Sequence, residues 1–237
     1  MEDLRKAKNK TMDKYLLGLL ASDGFTQVYI KQNGEKSYYS KLEMSEKQLI
    51  EDICNKYNKI LHYRQRIIKN KVREFWAVSF SSFEMDEYGQ YLIKGRPCIK
   101  EMYNSFSEKD KIEFIRGVFD GDGSIVFKYD PQNVTSTDRF RKTIGFSVNG
   151  QQSEMKEIII DFAKTHNLTV SVYFDKRGSG SWYLSFNGEK SLEHIYHLFF
   201  DSQPTLKNLR KYNTFNDFYN TCCSSCYNNL KEIGGSA

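Results

Sequence analysis

The chain has 237 residues, 39% of them hydrophobic and 27% charged, which suits a soluble globular protein of one large domain or two small ones. Three Pro exclude long Pro-rich linkers, and the N-terminal Met-Glu-Asp-Leu-Arg-Lys carries no apolar signal region. The longest apolar run near it, around Leu16 to Ala21, is too short to span a membrane, so an intracellular protein is expected, without a compartment being readable. A net charge of +5 is suggestive of a polyanionic partner and no more.

In chain order, Leu16 to Gly24 reads LLGLLASDG, an apolar helix ending in small residues and an acid. Two strand-like stretches follow, Phe25–Gln32 and Lys36–Met44. A helix is predicted over Ser45–Tyr57, its start Ser45-Glu-Lys-Gln48 having the capping-box pattern. Ile60–Ile68 and Val72–Phe80 again read as strands. Tyr103 to Asp110 is the natural boundary, with Ser107 a helix cap, and divides the chain into halves 1–106 and 107–237. Ile115 to Gly123 then reads IRGVFDGDG. Strands are predicted at Ser124–Tyr129 and Phe140–Val148, a helix at Ser153–Thr165, and strands at Leu168–Phe174 and Ser181–Phe186. Helices at Lys190–Phe200 and Leu206–Asn220 close the chain.

The two nonamers share Gly at the third position, Asp at the eighth and Gly at the ninth, and the same elements follow each. This predicts an α+β fold of two pseudo-symmetric αββαββα half-domains with antiparallel sheets. One face of each sheet packs on helices and the other stays open, so polar and apolar residues alternate, as Gln27, Tyr29 and Lys31 do against Thr26, Val28 and Ile30. From Lys56 to Arg73 the chain has seven Lys or Arg and no Asp or Glu, and this run spans the predicted third and fourth strands. The cysteines are Cys54, Cys98, Cys222, Cys223 and Cys226; Cys223 and Cys226 form a Cys-x-x-Cys pair with no second pair or His pair to complete a zinc site, so unpaired thiols are expected.

Gly18, Ala21 and Ser22 in the first nonamer, and Gly117 and Gly121 in the second, allow two helices to approach closely. Packed side by side, they bring Asp23 and Asp122 together at their C-terminal ends. Two adjacent carboxylates repel unless protons or cations intervene, and divalent metals such as Mg²⁺ take carboxylate, carbonyl and water ligands. Metals so held can activate water and stabilise a leaving oxygen in phosphodiester hydrolysis.

The paired Gly-x-x-x-x-Asp-Gly blocks, with the order of elements after them, resemble the LAGLIDADG homing endonucleases of the monomeric two-motif type over nearly the whole chain. The resemblance implies half-domains packed through the LAGLIDADG helices, with the sheets forming a DNA-binding saddle. It implies site-specific, metal-dependent double-strand cleavage across the minor groove, leaving short 3′ overhangs, with Mg²⁺ or another divalent cation as cofactor. The metal ligands implied are Asp23 and Asp122 with the carbonyls of Ser22 and Gly121. Asp120, at the sixth position where the first block has Ala21, is expected to be a helix-end polar residue without an essential role. A supporting lysine is implied near each acid: Lys207 or Lys211 in the second half, Lys94 or Lys100 in the first. A polar residue after the second strand falls near Glu46 in the first half and Gly150 in the second, so the two sites are expected to be unequal.

A two-stranded ribbon fits the major groove. Alternation from the motif acids presents Gln27, Tyr29, Lys31, Ser37, Tyr39, Lys41, Arg64 and Arg66 in the first half. The second presents Val126, Lys128, Asp130, Arg139, Arg141, Thr143, Ser171 and Tyr173. The halves differ outside the motifs, which predicts a long asymmetric target in double-stranded DNA and a functional monomer. Alternatives are a non-cleaving or dual-role nucleic-acid binder, such as an intron RNA maturase, and the endonuclease domain of an intein. Retention of both acids weighs against a non-cleaving binder while leaving a dual endonuclease and maturase role open, and the lack of flanking self-splicing blocks weighs against the intein, so a free-standing protein is expected.

Overall fold

The computed structural model describes residues 12–85, 87–93, 98–129, 140–149, 153–176, 180–217 and 219. The first half comprises α1 (Lys14–Ser22), β1 (Gly24–Ile30), β2 (Lys36–Met44), α2 (Lys47–Tyr57), β3 (His62–Ile68) and β4 (Lys71–Phe80). Three short helices lead out of it: α3 (Ser82–Met85), α4 (Gly89–Leu92) and α5 (Ile99–Asn104). The second half repeats the pattern in α6 (Glu108–Asp122), β5 (Gly123–Tyr129), β6 (Phe140–Asn149), α7 (Ser153–Thr165), β7 (Val170–Asp175), β8 (Ser181–Asn187) and α8 (Glu189–Phe200), with helical backbone again over 209–217. The sheets are antiparallel and share one order, β1-β2-β4-β3 and β5-β6-β8-β7.

α1 begins at Asp13, whose carboxylate accepts the Tyr15 amide at 2.9 Å. Tyr15, Leu16, Leu17, Leu19, Leu20 and Ala21 are all fully buried, because this helix packs on α6 as well as on its own sheet. α6 begins at Ser107, whose hydroxyl accepts the Asp110 amide, as its sequence predicts. The capping box predicted at Ser45 does not form. Glu46 occupies the cap position with no side-chain cap bond, and the Ser45 hydroxyl bonds the Glu46 carboxylate at 2.9 Å instead. α2 ends on Asn58 at φ 52°, the left-handed conformation Asn tolerates.

α7 buries Met155, Ile158, Ile159, Phe162 and Ala163, one stripe at helical spacing. In β2 the helix-facing residues Tyr38, Ser40, Leu42 and Met44 are buried and alternate with more exposed neighbours. The β3–β4 hairpin turns through Lys69 and Asn70, both at positive φ (50° and 59°), which matches the twist of its strands. No helix among the described residues is long and apolar enough to cross a membrane. Cys54 is buried and Cys98 exposed; Cys222, Cys223 and Cys226 lie outside the described residues.

Candidate nucleic-acid interface and paired-acid site

α1 and α6 cross at Gly18 and Gly117. A Cβ on Gly18 would lie 2.0 Å from the Phe114 carbonyl oxygen, and one on Gly117 would lie 2.0 Å from that of Tyr15. Each glycine costs roughly 1 kcal/mol of helix propensity, whereas each buried Leu on α1 contributes about 2 kcal/mol, so close packing wins. One turn further along, a Cβ on Gly121 would meet the Ser22 hydroxyl at 2.0 Å and the Asp23 carboxylate at 3.3 Å. Asp23 caps α1 and Asp122 is the last residue of α6, so the crossing sets the two acids at neighbouring helix ends. Asp23 is exposed and Asp122 half-exposed, leaving both reachable from solvent. The carboxylates and the carbonyls of Ser22 and Gly121 are hard oxygen donors that suit a divalent cation. Among the described residues no group of three or more His, Cys, Asp or Glu could hold a metal, so two acids would need water or phosphate oxygens to complete a shell.

Lys211 is buried beside this end of α6. Its ammonium donates to the carbonyls of Phe119 (2.7 Å), Asp120 (2.8 Å) and Gly121 (2.9 Å), the negative end of the helix. Burial pulls its pKa down to about 8 against the pull of Asp120, Asp23 and Glu46. Glu46 ion-pairs across the halves with Arg210 at 3.1 Å. Burial pushes the Glu46 carboxyl up, but Ser45, Arg210 and Lys211 outweigh it and hold the pKa below the usual range.

Asp120 stands near the helix end, as its sequence predicts, and is buried there. It is 1% exposed and accepts the Tyr15 hydroxyl at 2.7 Å and the Asn208 amide at 2.8 Å through one carboxylate oxygen. Arg116, also buried, stacks 4.1 Å from the Tyr15 ring centroid and donates to the Leu206 carbonyl at 2.6 Å. Burial raises the Asp120 pKa, although these partners and Lys211 oppose it.

Of the other lysines, Lys207 lies 4.1 Å from the Tyr212 ring centroid rather than on the helix-end carbonyls. Lys100 is held on α7 by Glu157 (2.9 Å) and Asp161 (3.0 Å), which removes it from the paired acids. Lys94 and Gly150 lie outside the described residues.

The open face of the first sheet unites Gln27, Tyr29, Ser37, Tyr39, Lys41, Arg64 and Arg66, as the register places Gln27 opposite Tyr39, Tyr29 opposite Ser37 and Arg66 opposite Arg73. Lys31 sits in the β1–β2 turn and ion-pairs with Glu35 at 3.4 Å. The Tyr39 hydroxyl donates to Ser79 at 2.6 Å, and that of Tyr29 to Gln27 at 2.6 Å. Glu43, which a search for cations alone overlooks, has the right parity and gathers Lys41 (2.9 Å), Arg64 (3.9 Å) and Arg66. Burial raises the Glu43 pKa, but the three cations outweigh it and hold it low.

On the second sheet Val126 pairs with Thr143, Lys128 with Arg141, and Tyr173 with Tyr183, which puts these residues on one face with Ser171. Asp130 and Arg139 lie outside the described residues. Ser185 and Asn187 join this face and were findable by the same alternation: Thr143 donates to Asn187 at 3.0 Å, and Asn187 to Ser185 at 3.4 Å.

No family model and no curated protein matches the sequence. Solved structures do match in shape. I-DmoI in complex with DNA and Ca is 14% identical with a TM-score of 0.52, covering 81% of this chain and 90% of its own. The LAGLIDADG meganuclease I-AabMI bound to uncleaved DNA is 13% identical with a TM-score of 0.57, covering 93% and 92%. The meganuclease I-SmaMI bound to uncleaveable DNA is 10% identical with a TM-score of 0.55, covering 97% and 98%. At such identities the likeness is one of fold, and it spans both halves: this chain has the two-domain α+β fold of the single-chain LAGLIDADG homing endonucleases.

Proposed function

We propose that this chain is a site-specific homing endonuclease that breaks both strands of a long, asymmetric DNA target by metal-dependent phosphodiester hydrolysis, leaving short 3′ overhangs. The observation that carries this reading is the position of Asp23 and Asp122 at neighbouring ends of two helices that touch through glycine. Pure binding needs no such pair of solvent-reachable acids. Asp23 and Asp122, with the carbonyls of Ser22 and Gly121, would hold Mg²⁺ or another divalent cation; the Gly121 carbonyl keeps a second lone pair beside the one Lys211 uses. When bound, such a cation supplies charge stabilisation at the phosphate and an activated water. Lys211 sets a positive charge beside the acids, and Asp23 and Asp122 orient the reacting groups.

The two open sheet faces would form the saddle for duplex DNA, with the protein acting as a monomer. Lys41, Arg64 and Arg66 suit phosphate oxygens or guanine edges, while Gln27, Thr143 and Asn187 suit base edges. Faces of such different chemistry fit two unlike half-sites. I-DmoI was solved with DNA and Ca, and the I-AabMI and I-SmaMI structures also contain DNA, which supports the reading by analogy of fold. Cleavage selection on a randomised duplex library tests it: cuts at one long, non-palindromic sequence with Mg²⁺ and none with chelator are expected. Failure of any duplex to be cut under either condition would sink the proposal.

A further inference from the structure

We infer that Asp120 is a positioning residue, docking the segment that carries Lys211 onto the end of α6 and so aligning one of the two acids; this rests on the endonuclease reading above. The comparison inside the chain carries the argument. At the sixth position of the first motif stands Ala21, fully buried and apolar. Helix packing at this position therefore does not require a carboxylate, yet the second motif buries one at 1% exposure. Its Oδ1 makes no hydrogen bond, and an acid held in so dry a place is costly unless it serves its neighbours.

The neighbours are specific. Oδ2 of Asp120 accepts from Tyr15 on α1 and from the Asn208 backbone. The Asn208 side chain in turn accepts the Lys211 amide at 3.2 Å, starting the turn that aims the lysine at the last carbonyls of α6. α1 ends otherwise: the Ser22 hydroxyl donates to the carbonyls of Gly18 (3.1 Å) and Leu19 (3.0 Å). Removing the Asp120 carboxylate therefore disturbs one acid more than the other, and the two strands of the target should feel it unequally.

The test uses the full chain with Asp120→Ala, the isosteric Asp120→Asn and Tyr15→Phe. Without DNA, acetic anhydride labelling of Lys211, read by peptide mapping, should rise several-fold in Asp120→Ala and less in Asp120→Asn, which keeps one acceptor. With duplex target, single-turnover assays should show one strand slowed about tenfold relative to the other, with DNA affinity near wild type. Unchanged labelling in all three variants, or equal slowing of both strands, overturns the inference. Should Asp120→Ala fail to fold, the two shape-conserving variants carry the same readouts. A wild-type protein that cuts no duplex sinks the endonuclease reading, while labelling still decides whether Asp120 docks Lys211.

Discussion

On the first sheet, Lys41, Arg64 and Arg66 crowd around Glu43, whereas on the second Thr143, Asn187 and Ser185 exchange neutral hydrogen bonds. The strand order beneath them is the same. The helix ends differ in the same manner: Ser22 closes the last turn of α1 with its own hydroxyl, and Lys211 closes that of α6 from 90 residues away. Backbone symmetry has been kept and side-chain chemistry has not. Cationic contacts favour phosphate and carry salt-dependent affinity, while hydroxyl and amide contacts suit base edges. On the proposed DNA-binding reading the two faces would weight holding and reading differently, although Gln27 stands on the first face and Lys128 and Arg141 at register positions of the second.

The acids are where this division is most readily overturned. Asp23→Asn and Asp122→Asn should each lower double-strand cleavage by about a thousandfold or more and leave binding largely intact. Nicking assays would then tell whether the two ends are interchangeable. Wild-type rates in both variants would remove these residues from the site.

The joint is the symmetric part. Gly18→Ala and Gly117→Ala each drive a methyl into a carbonyl oxygen, and each should cost about 1–3 kcal/mol, seen as a lowered thermal midpoint. A large cost at one and none at the other would show that the crossing is not the mutual contact described.

The faces come next. Arg64→Ala with Arg66→Ala should flatten the dependence of log affinity on log salt by up to about 0.9 for each phosphate left without its cation. Ser171→Ala with Ser185→Ala should leave that slope alone and alter sequence preference. A reversal of these results would exchange the roles of the sheets.

A subtler effect concerns Lys211, whose pKa is about 8 in the fold against 10.5 in the free side chain. Between those values the unfolded chain holds a proton that the folded one has released, so stability rises with pH. Below pH about 8 the burial penalty is complete. Wild-type stability minus that of Lys211→Met should therefore climb from pH 8 to 10.5; a flat difference would mean the lysine is not desolvated.

The repeat made most of the fold legible, because two copies of one pattern fix each other's boundaries. α3, α4 and α5 were not legible, since helices of four to six residues are too short for a periodic signal. Asp23, Asp122 and the parity of both sheets follow from local spacing. Asp120 does not: its partners Tyr15 and Asn208 lie 105 and 88 residues away, and nothing near it in the chain announces burial. Ser45 failed as a cap because its hydroxyl found the neighbouring Glu46 carboxylate.

The glycine crossing also has a metrological side. Gly18 and Gly117 put main chain against main chain, with no rotamer between them to give or to choose. The spacing of the acids downstream is then gauged by rigid rods in hard contact, and its tolerance is that of a helix axis rather than of a side chain.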